Sequence, residues 1–157
     1  MEENFIEIIQ KYPLKLYMIF LSLPFEPIIF PFIVFFIDWK MKIKRKSIFI
    51  MLFFHLIIML IKKKSNRLRP YQKFPKKIKN KYILEPKDKS FPSGHSFVAY
   101  ITAWLISKRL DNCNWIMILP LLVGLSRVWL GLHYPSDVIL GMLAGKLTTG
   151  FIEFLDN

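Results

Sequence analysis

Cysteine is almost absent. Cys113 stands alone, which excludes an intrachain disulfide and any cysteine metal cluster and leaves the compartment open. Acidic residues are scarce as well, 11 Asp and Glu against 23 Lys and Arg, for a formal charge of +12. Such an excess suits nucleic acid, anionic lipid or an anionic substrate, and the long apolar runs favour the last two. The first dozen residues lack the basic start and small-residue cleavage site of a signal peptide, so the N-terminus is expected to be retained. At 157 residues there is little room for a second catalytic domain, and residues 1–157 are expected to form one domain.

What the chain has in quantity is apolar surface. Hydrophobic residues make up 54% of it, with 15 Phe and a mean hydropathy of +0.35. They are blocked into runs, the pattern of bilayer spans rather than of one soluble core. Phe5, Ile8, Ile9 and Tyr12 recur at helical spacing among Glu2, Glu3, Glu7 and Gln10, which predicts an amphipathic helix lying on the membrane surface. The run 14–37 is long enough to cross a bilayer but carries Pro24, Pro27 and Pro31. It reads either as one kinked span or as two short crossings with a break near Glu26. Further spans are predicted over 47–61, 96–107, 115–132 and 136–155, separated by a basic loop at 40–46, a long polar loop at 62–94 rich in Lys and Pro, and a tight turn at 108–114. The expected fold is therefore all-α: an integral membrane helical bundle of five or six transmembrane helices plus the N-terminal amphipathic helix.

Several residues inside these runs have two readings. His55 sits mid-span, where an ionisable group is a functional candidate, although a neutral histidine packed between helices is the simpler reading. Trp39, Trp104, Trp115 and Trp129 are candidate interface anchors or ordinary packing residues. In the last span Asp137, Gly141, Gly145 and Thr148 fall on one stripe that should face the bundle, with the two glycines allowing close packing. Lys146 falls on the opposite face, where it is expected to snorkel or to pair, with Glu26 as a candidate.

Three polar fragments carry the chemistry: Lys62 with Arg69 and Pro70; Pro92, Ser93, Gly94 and His95; and Ser126, Arg127, His133 and Asp137. Each lies at the end of a predicted span, and following the chain across the bilayer brings all three out on one side. Phosphoryl transfer demands these residue types, because charge spreads over the equatorial oxygens of the transition state and is met by fixed cations and backbone N–H donors. Lys62, Arg69 and Arg127 are the candidate cations. Ser93 and Gly94 open a helix whose free N–H groups favour an anion. His133, four residues before the carboxylate of Asp137, is the candidate nucleophile, with Asp137 holding its tautomer. His95 is then the general acid and, in the second half-reaction, the base for water.

The set K-x6-R-P at Lys62 to Pro70, P-S-G-H at Pro92 to His95 and S-R-x5-H-x3-D at Ser126 to Asp137 resembles the three signature motifs of the type 2 phosphatidic acid phosphatase family, the lipid phosphate phosphatases. Every signature position is present in the family's order, Lys62 being the lysine in register although Lys63 and Lys64 adjoin it. The resemblance implies a metal-independent hydrolase without cofactors that works through a phosphohistidine. It also implies a lipid phosphomonoester or diphosphate substrate, which in bacteria includes undecaprenyl diphosphate, phosphatidylglycerophosphate and the 1-phosphate of lipid A.

Competing readings remain. Two His and one Asp suit zinc, but a clear third carboxylate or cysteine near the motifs is lacking and three cations oppose a metal. The twelve Lys and Arg between Lys62 and Lys89 suit solvation or anionic headgroups better than nucleic acid. A non-enzymatic membrane adaptor or transport subunit that binds anionic lipid stays as the alternative class; it has no need of paired histidines. The positive-inside rule, with twelve loop cations on the site's side against seven on the other, places the site in the cytoplasm. The family's usual orientation, by resemblance, faces away from it, and since some of those cations serve the substrate, an extracytoplasmic site on a bacterial inner membrane is expected. Oligomeric state is left open.

Overall fold

The computed structural model describes residues 1–27, 30, 32, 45–83, 85–110 and 113–156. The described residues contain helices and no strands. Seven α-helices are α1 (Glu2–Ile9), α2 (Lys15–Ser22), α3 (Arg45–Lys64), the single turn α4 (Pro70–Lys73), α5 (Gly94–Arg109), α6 (Leu119–Trp129) and α7 (Pro135–Asp156). Helices cover the apolar runs anticipated after residue 45, with slightly different ends. The one expected over 115–132 begins as a 3-10 turn, Asn114–Ile118, before Pro120 opens α6 at a position where its missing N–H costs nothing. By length and composition α7 is long and apolar enough to cross a membrane. It shows Leu143, Leu147, Phe151 and Phe154 outward, a surface that water would not favour.

The first apolar run breaks where its prolines and Glu26 indicate. Helix α2 ends at Ser22, a 3-10 turn covers Leu23–Phe25, and Glu26 is extended at φ −59°, ψ 123°. Most of its second half, with Pro31, lies outside the described residues, as do Trp39, most of the basic 40–46 loop and two residues of the 108–114 turn.

Helices α5 and α7 form the centre. The predicted stripe on α7 is buried, and its glycines set the approach. A Cβ on Gly141 would stand 2.4 Å from the carbonyl oxygen of Ser93, and one on Gly145 would stand 2.7 Å from Cβ of Tyr100. Small residues here bring the start of α7 against the start of α5, and with them Asp137 against Ser93. One apolar core, including Met51, Ile58, Phe97, Ile101, Val123 and Ile152, fills the space among α3, α5, α6 and α7. The ring of His55 packs 4.9 Å from that of Phe30 in this region, the packed reading of that histidine.

A second core, including Ile6, Ile19, Tyr71, Ile78, Val128, Leu130, Leu132 and Val138, lies at the site end. It changes the expectation for α1 and decides between the two readings of Trp129. Helix α1 does not only lie along a surface. Ile6 is fully enclosed, and the Gln10 amide donates to the carbonyls of Lys79 and Trp129, which pins the helix to the long loop. Phe5 and Ile8 stay exposed on its other face, as does Tyr12 in the turn that follows. The polar 62–94 loop is anchored in this core by Tyr71 on α4 and by Ile78. Trp129 is 2% exposed and is a core residue, whereas Trp115, at 70%, keeps the position of an interface anchor. Lys146 is exposed and Glu26 is engaged elsewhere, by Tyr82 and His95, so the suggested pair between them does not form.

Candidate active site

The S-R-x5-H spacing is the geometry of a helix end. Gly131, at φ 78°, follows the last turn of α6 in the left-handed conformation that glycine adopts without steric cost. The N–H of Leu132 donates to the carbonyl of Arg127 (3.1 Å) and that of Gly131 to Val128 (3.0 Å), a Schellman closure. A side chain at 131 would also collide with the carbonyl oxygen of Lys79, 2.6 Å from its Cβ position. The closure turns the chain back on itself, so the His133 N–H also reaches the Arg127 carbonyl (3.3 Å) and both residues serve one end of the bundle.

Four residues on, Asp137 is the third residue of α7. Its Oδ2 accepts the N–H of Tyr134 (2.9 Å), half of a capping box, and also the hydroxyl of Ser90. The sequence pattern H-x3-D thus serves two purposes, capping the helix and facing the imidazole: His133 Nδ1 stands 3.6 Å from Asp137 Oδ2, a close ion-pair distance beyond hydrogen-bond contact. On the far side of the ring, Nε2 is 3.4 Å from Arg69 Nη1. Burial, followed by the charges of Arg69 and Lys62, holds the His133 imidazole well below its ordinary range, so the ring is neutral at neutral pH, with Nε2 facing the Arg69 guanidinium.

The P-S-G-H fragment opens α5. Ser93 is the N-cap, its hydroxyl accepting the N–H of Ser96 (3.3 Å), and its own N–H donates to the Asp137 carbonyl (3.1 Å). Gly94 lies against Pro27, leaving 2.7 Å between a Cβ and Pro27 Cγ. His95 turns into a cavity of about 500 Å³, with Nε2 3.1 Å from Glu26 Oε1. Lys62, at the end of α3, Arg69, which precedes α4, and Arg127 line the same cavity. Arg69 donates to the carbonyls of Leu132 (2.9 Å) and Asp88 (3.0 Å). Arg127 donates to the hydroxyl of Ser22 (3.1 Å) and stacks 4.7 Å over the Tyr82 ring. All three cations are at least 95% buried, as Lys62 is 5% exposed, Arg69 2% and Arg127 1%. Leu23, Pro27, Met59 and Pro86 give the cavity an apolar section of wall, and Glu26, Tyr82, Glu85 and Asp88 complete its lining.

The structure thus gathers Lys62, Arg69, Arg127 and His95 around one space. His133 and Asp137 stand immediately behind Arg69, enclosed rather than lining the cavity, and Ser93 and Gly94 form the turn beneath His95. Four further residues belong to the assembly and were not assigned from sequence. Arg67 holds the outer face of Asp137, with Nη1 2.6 Å from Oδ1 and 2.9 Å from the Ser136 hydroxyl, while its other nitrogen pairs with Glu2 (2.9 Å). Glu26 accepts the Tyr82 hydroxyl (2.6 Å) beside His95. Asp88 bridges Lys62 (2.9 Å) and Arg69 (2.6 Å). Burial opposes ionisation of Asp88, but these two cations outweigh it and hold the carboxyl below its ordinary range. The only sequence signal for Glu26 was its position interrupting an apolar run; Arg67 and Asp88 are lost among the lysines of a basic loop, and Tyr82 has no signal.

The PAP2 superfamily model matches residues 44–153. The chain is 39% identical over 74 residues to the bacitracin transport permease protein BcrC of Bacillus licheniformis, covering 46% of this chain and 36% of that one. It is 40% identical over 80 residues to an undecaprenyl-diphosphatase of Sulfolobus acidocaldarius, covering 47% and 36%. The match therefore spans 36% of the length of each of these curated relatives. Among solved structures, a transmembrane PAP2 type phosphatidylglycerolphosphate phosphatase from Bacillus subtilis superposes with a TM-score of 0.68 at 25% identity, over 96% of this chain and 85% of that one. Aquifex aeolicus LpxE shares the fold at a TM-score of 0.68 and 21% identity, over 96% and 93%.

Proposed function

Because the chain belongs to the PAP2 superfamily, we propose that it is an integral membrane phosphatase that removes phosphate from a lipid phosphomonoester or diphosphate through a phosphohistidine at His133. The observation that carries this reading is the position of His133 Nε2. Asp137 faces the opposite nitrogen, leaving Nε2 directed at Arg69 and, beyond it, the cavity where Lys62, Arg127 and His95 converge. A phosphate held by the three cations reaches the lone pair of the neutral imidazole once the Arg69 guanidinium, which stands between His133 and the cavity, turns onto the phosphate.

In the first half-reaction Nε2 of His133 attacks phosphorus while the bond to the leaving oxygen breaks, and that oxygen takes a proton from His95, which burial and then Arg127 hold neutral in the free site and which gains this proton beside Glu26 when the phosphate anion enters. Asp137 stabilises the charge that forms on the ring, while the N–H groups at the start of α5, at Gly94 and His95, add fixed donors. Water then attacks phosphorus, His95 accepts its proton, the P–N bond breaks, and inorganic phosphate leaves with His133 neutral again. For a diphosphate, the leaving group is the lipid monophosphate. No step requires a metal or a cofactor. The apolar wall of Leu23, Pro27 and Met59 suits the first carbons of a lipid tail.

Substrates to be tested are undecaprenyl diphosphate, phosphatidylglycerophosphate, lipid A 1-phosphate and phosphatidic acid, with the protein in a bacterial inner membrane and the site on its extracytoplasmic side. Phosphate release from this panel is expected for at least one lipid, inhibited by vanadate and indifferent to EDTA. Loss of activity on chelation would replace the phosphohistidine with a metal mechanism. The name of the Bacillus licheniformis relative favours a second reading, a transport subunit without hydrolysis. Release from none of the four lipids, with lipid binding intact, would select it.

A further inference from the structure

Asp88 occupies the position that a substrate anion would take. Its two carboxylate oxygens are divided between two cations, Oδ1 to Arg69 Nη2 at 2.6 Å and Oδ2 to Lys62 Nζ at 2.9 Å, as two oxygens of one phosphate would be. The cations are buried, but the Asp88 side chain is half exposed and borders the same cavity. It belongs to the loop before α5 rather than to a helix, so rotation about its own bonds releases it to solvent. Arg69 does not depend on that carboxylate for its position, because the backbone carbonyls of Leu132 and Asp88 hold two of its nitrogens.

We infer that Asp88 is a specificity-determining residue, an internal anion that filters ligands by charge. The inference rests on reading the cavity as a phosphate site. A resident carboxylate bears one negative charge, and so does the phosphodiester of an ordinary phospholipid headgroup. Exchanging one for the other gains little from the cations. A terminal phosphate or diphosphate bears more charge, and its attraction to Lys62, Arg69 and Arg127 grows in proportion, so it displaces Asp88 where a diester does not. A site opening into a bilayer meets diesters in vast excess, and this exclusion keeps it free for terminal phosphates. The filter lowers affinity for every anion by the fraction of sites that Asp88 leaves open.

The test uses the full chain in nanodiscs, comparing wild type with Asp88→Asn and Asp88→Glu. Inorganic phosphate binding is measured by calorimetry, which needs no turnover. Phosphatidylglycerol is titrated into the bilayer as a competitor for that binding. Asp88→Asn is expected to bind phosphate about tenfold more tightly, the scale of losing one or two partly exposed ion pairs to a competitor, and to become sensitive to phosphatidylglycerol. Asp88→Glu keeps the charge and should resist the diester as wild type does. Weaker phosphate binding in Asp88→Asn, or unchanged indifference to phosphatidylglycerol, overturns the filter and makes Asp88 a residue that only orders the cations. Since neither readout requires hydrolysis, a failure of the phosphatase reading leaves this comparison decisive.

Discussion

The two histidines of the site are built differently. His133 is enclosed on every side, with Asp137 at one ring nitrogen and Arg69 at the other, and its carboxylate is itself clamped by Arg67, Ser90 and the Tyr134 N–H. His95 is also buried, at 5% exposed, but its ring borders the cavity, and its neighbour Glu26 is held by one phenol, that of Tyr82. The contrast matches the two tasks proposed for them. A nucleophile has to be aimed within narrow limits and kept neutral, which favours a packed setting. A group that first donates and then accepts a proton must meet a leaving oxygen and later a water, which favours an open one.

The sharpest test of that division is removal of each ring. His133→Ala is expected to lose about 10⁴-fold or more in kcat, since no other group takes over the bond to phosphorus. His95→Ala is expected to lose about 10²- to 10⁴-fold, the usual range for general acid–base catalysis, and to recover partly with a substrate whose leaving group needs no proton. Equal losses, with no leaving-group dependence, would erase the distinction. The supporting residues give smaller effects in the same order. Arg67→Gln removes charge-assisted contacts to Asp137 and Ser136 and should lower kcat about 30- to 100-fold with little change in KM, partly restored by Arg67→Lys. Glu26→Gln keeps a hydrogen-bond acceptor for Tyr82 and should cost about tenfold or less, as expected for one charge-assisted contact in a more solvated place. A larger loss from Glu26→Gln than from Arg67→Gln, read from steady-state kinetics, would reverse the assignment of the packed and open poles.

Much of the assembly was legible because it is encoded at short range. Span positions follow from apolar runs. The Asp137, Gly141, Gly145 stripe follows from helical spacing, and the clash of a Cβ at Gly141 with the Ser93 carbonyl explains why small residues are needed there. What escaped depends on contacts across the chain. Arg67 is two residues from Arg69 in a run of cations, yet one reaches Asp137 from outside while the other reaches His133 from the cavity side. The extended backbone of Arg69 is marked by Pro70 after it, but which partner each arginine reaches is not. Trp129 resembled an interface anchor by its place near a span end. The fold of α1 and the long loop over the site end encloses it instead.

By itself the sequence pointed to the proposed reaction class and to the catalytic groups to be tested, because S-R-x5-H-x3-D is at once a chemical pattern and a local backbone instruction: a helix end closed by Gly131 and a helix start capped by Asp137. Only the tertiary structure decided which carboxylate meets which cation. Charges have no periodicity along a loop, and the pairings Arg67 with Asp137, Asp88 with Lys62 and Arg69, and Glu26 beside His95 arise when segments up to 70 residues apart are brought to one end of the bundle.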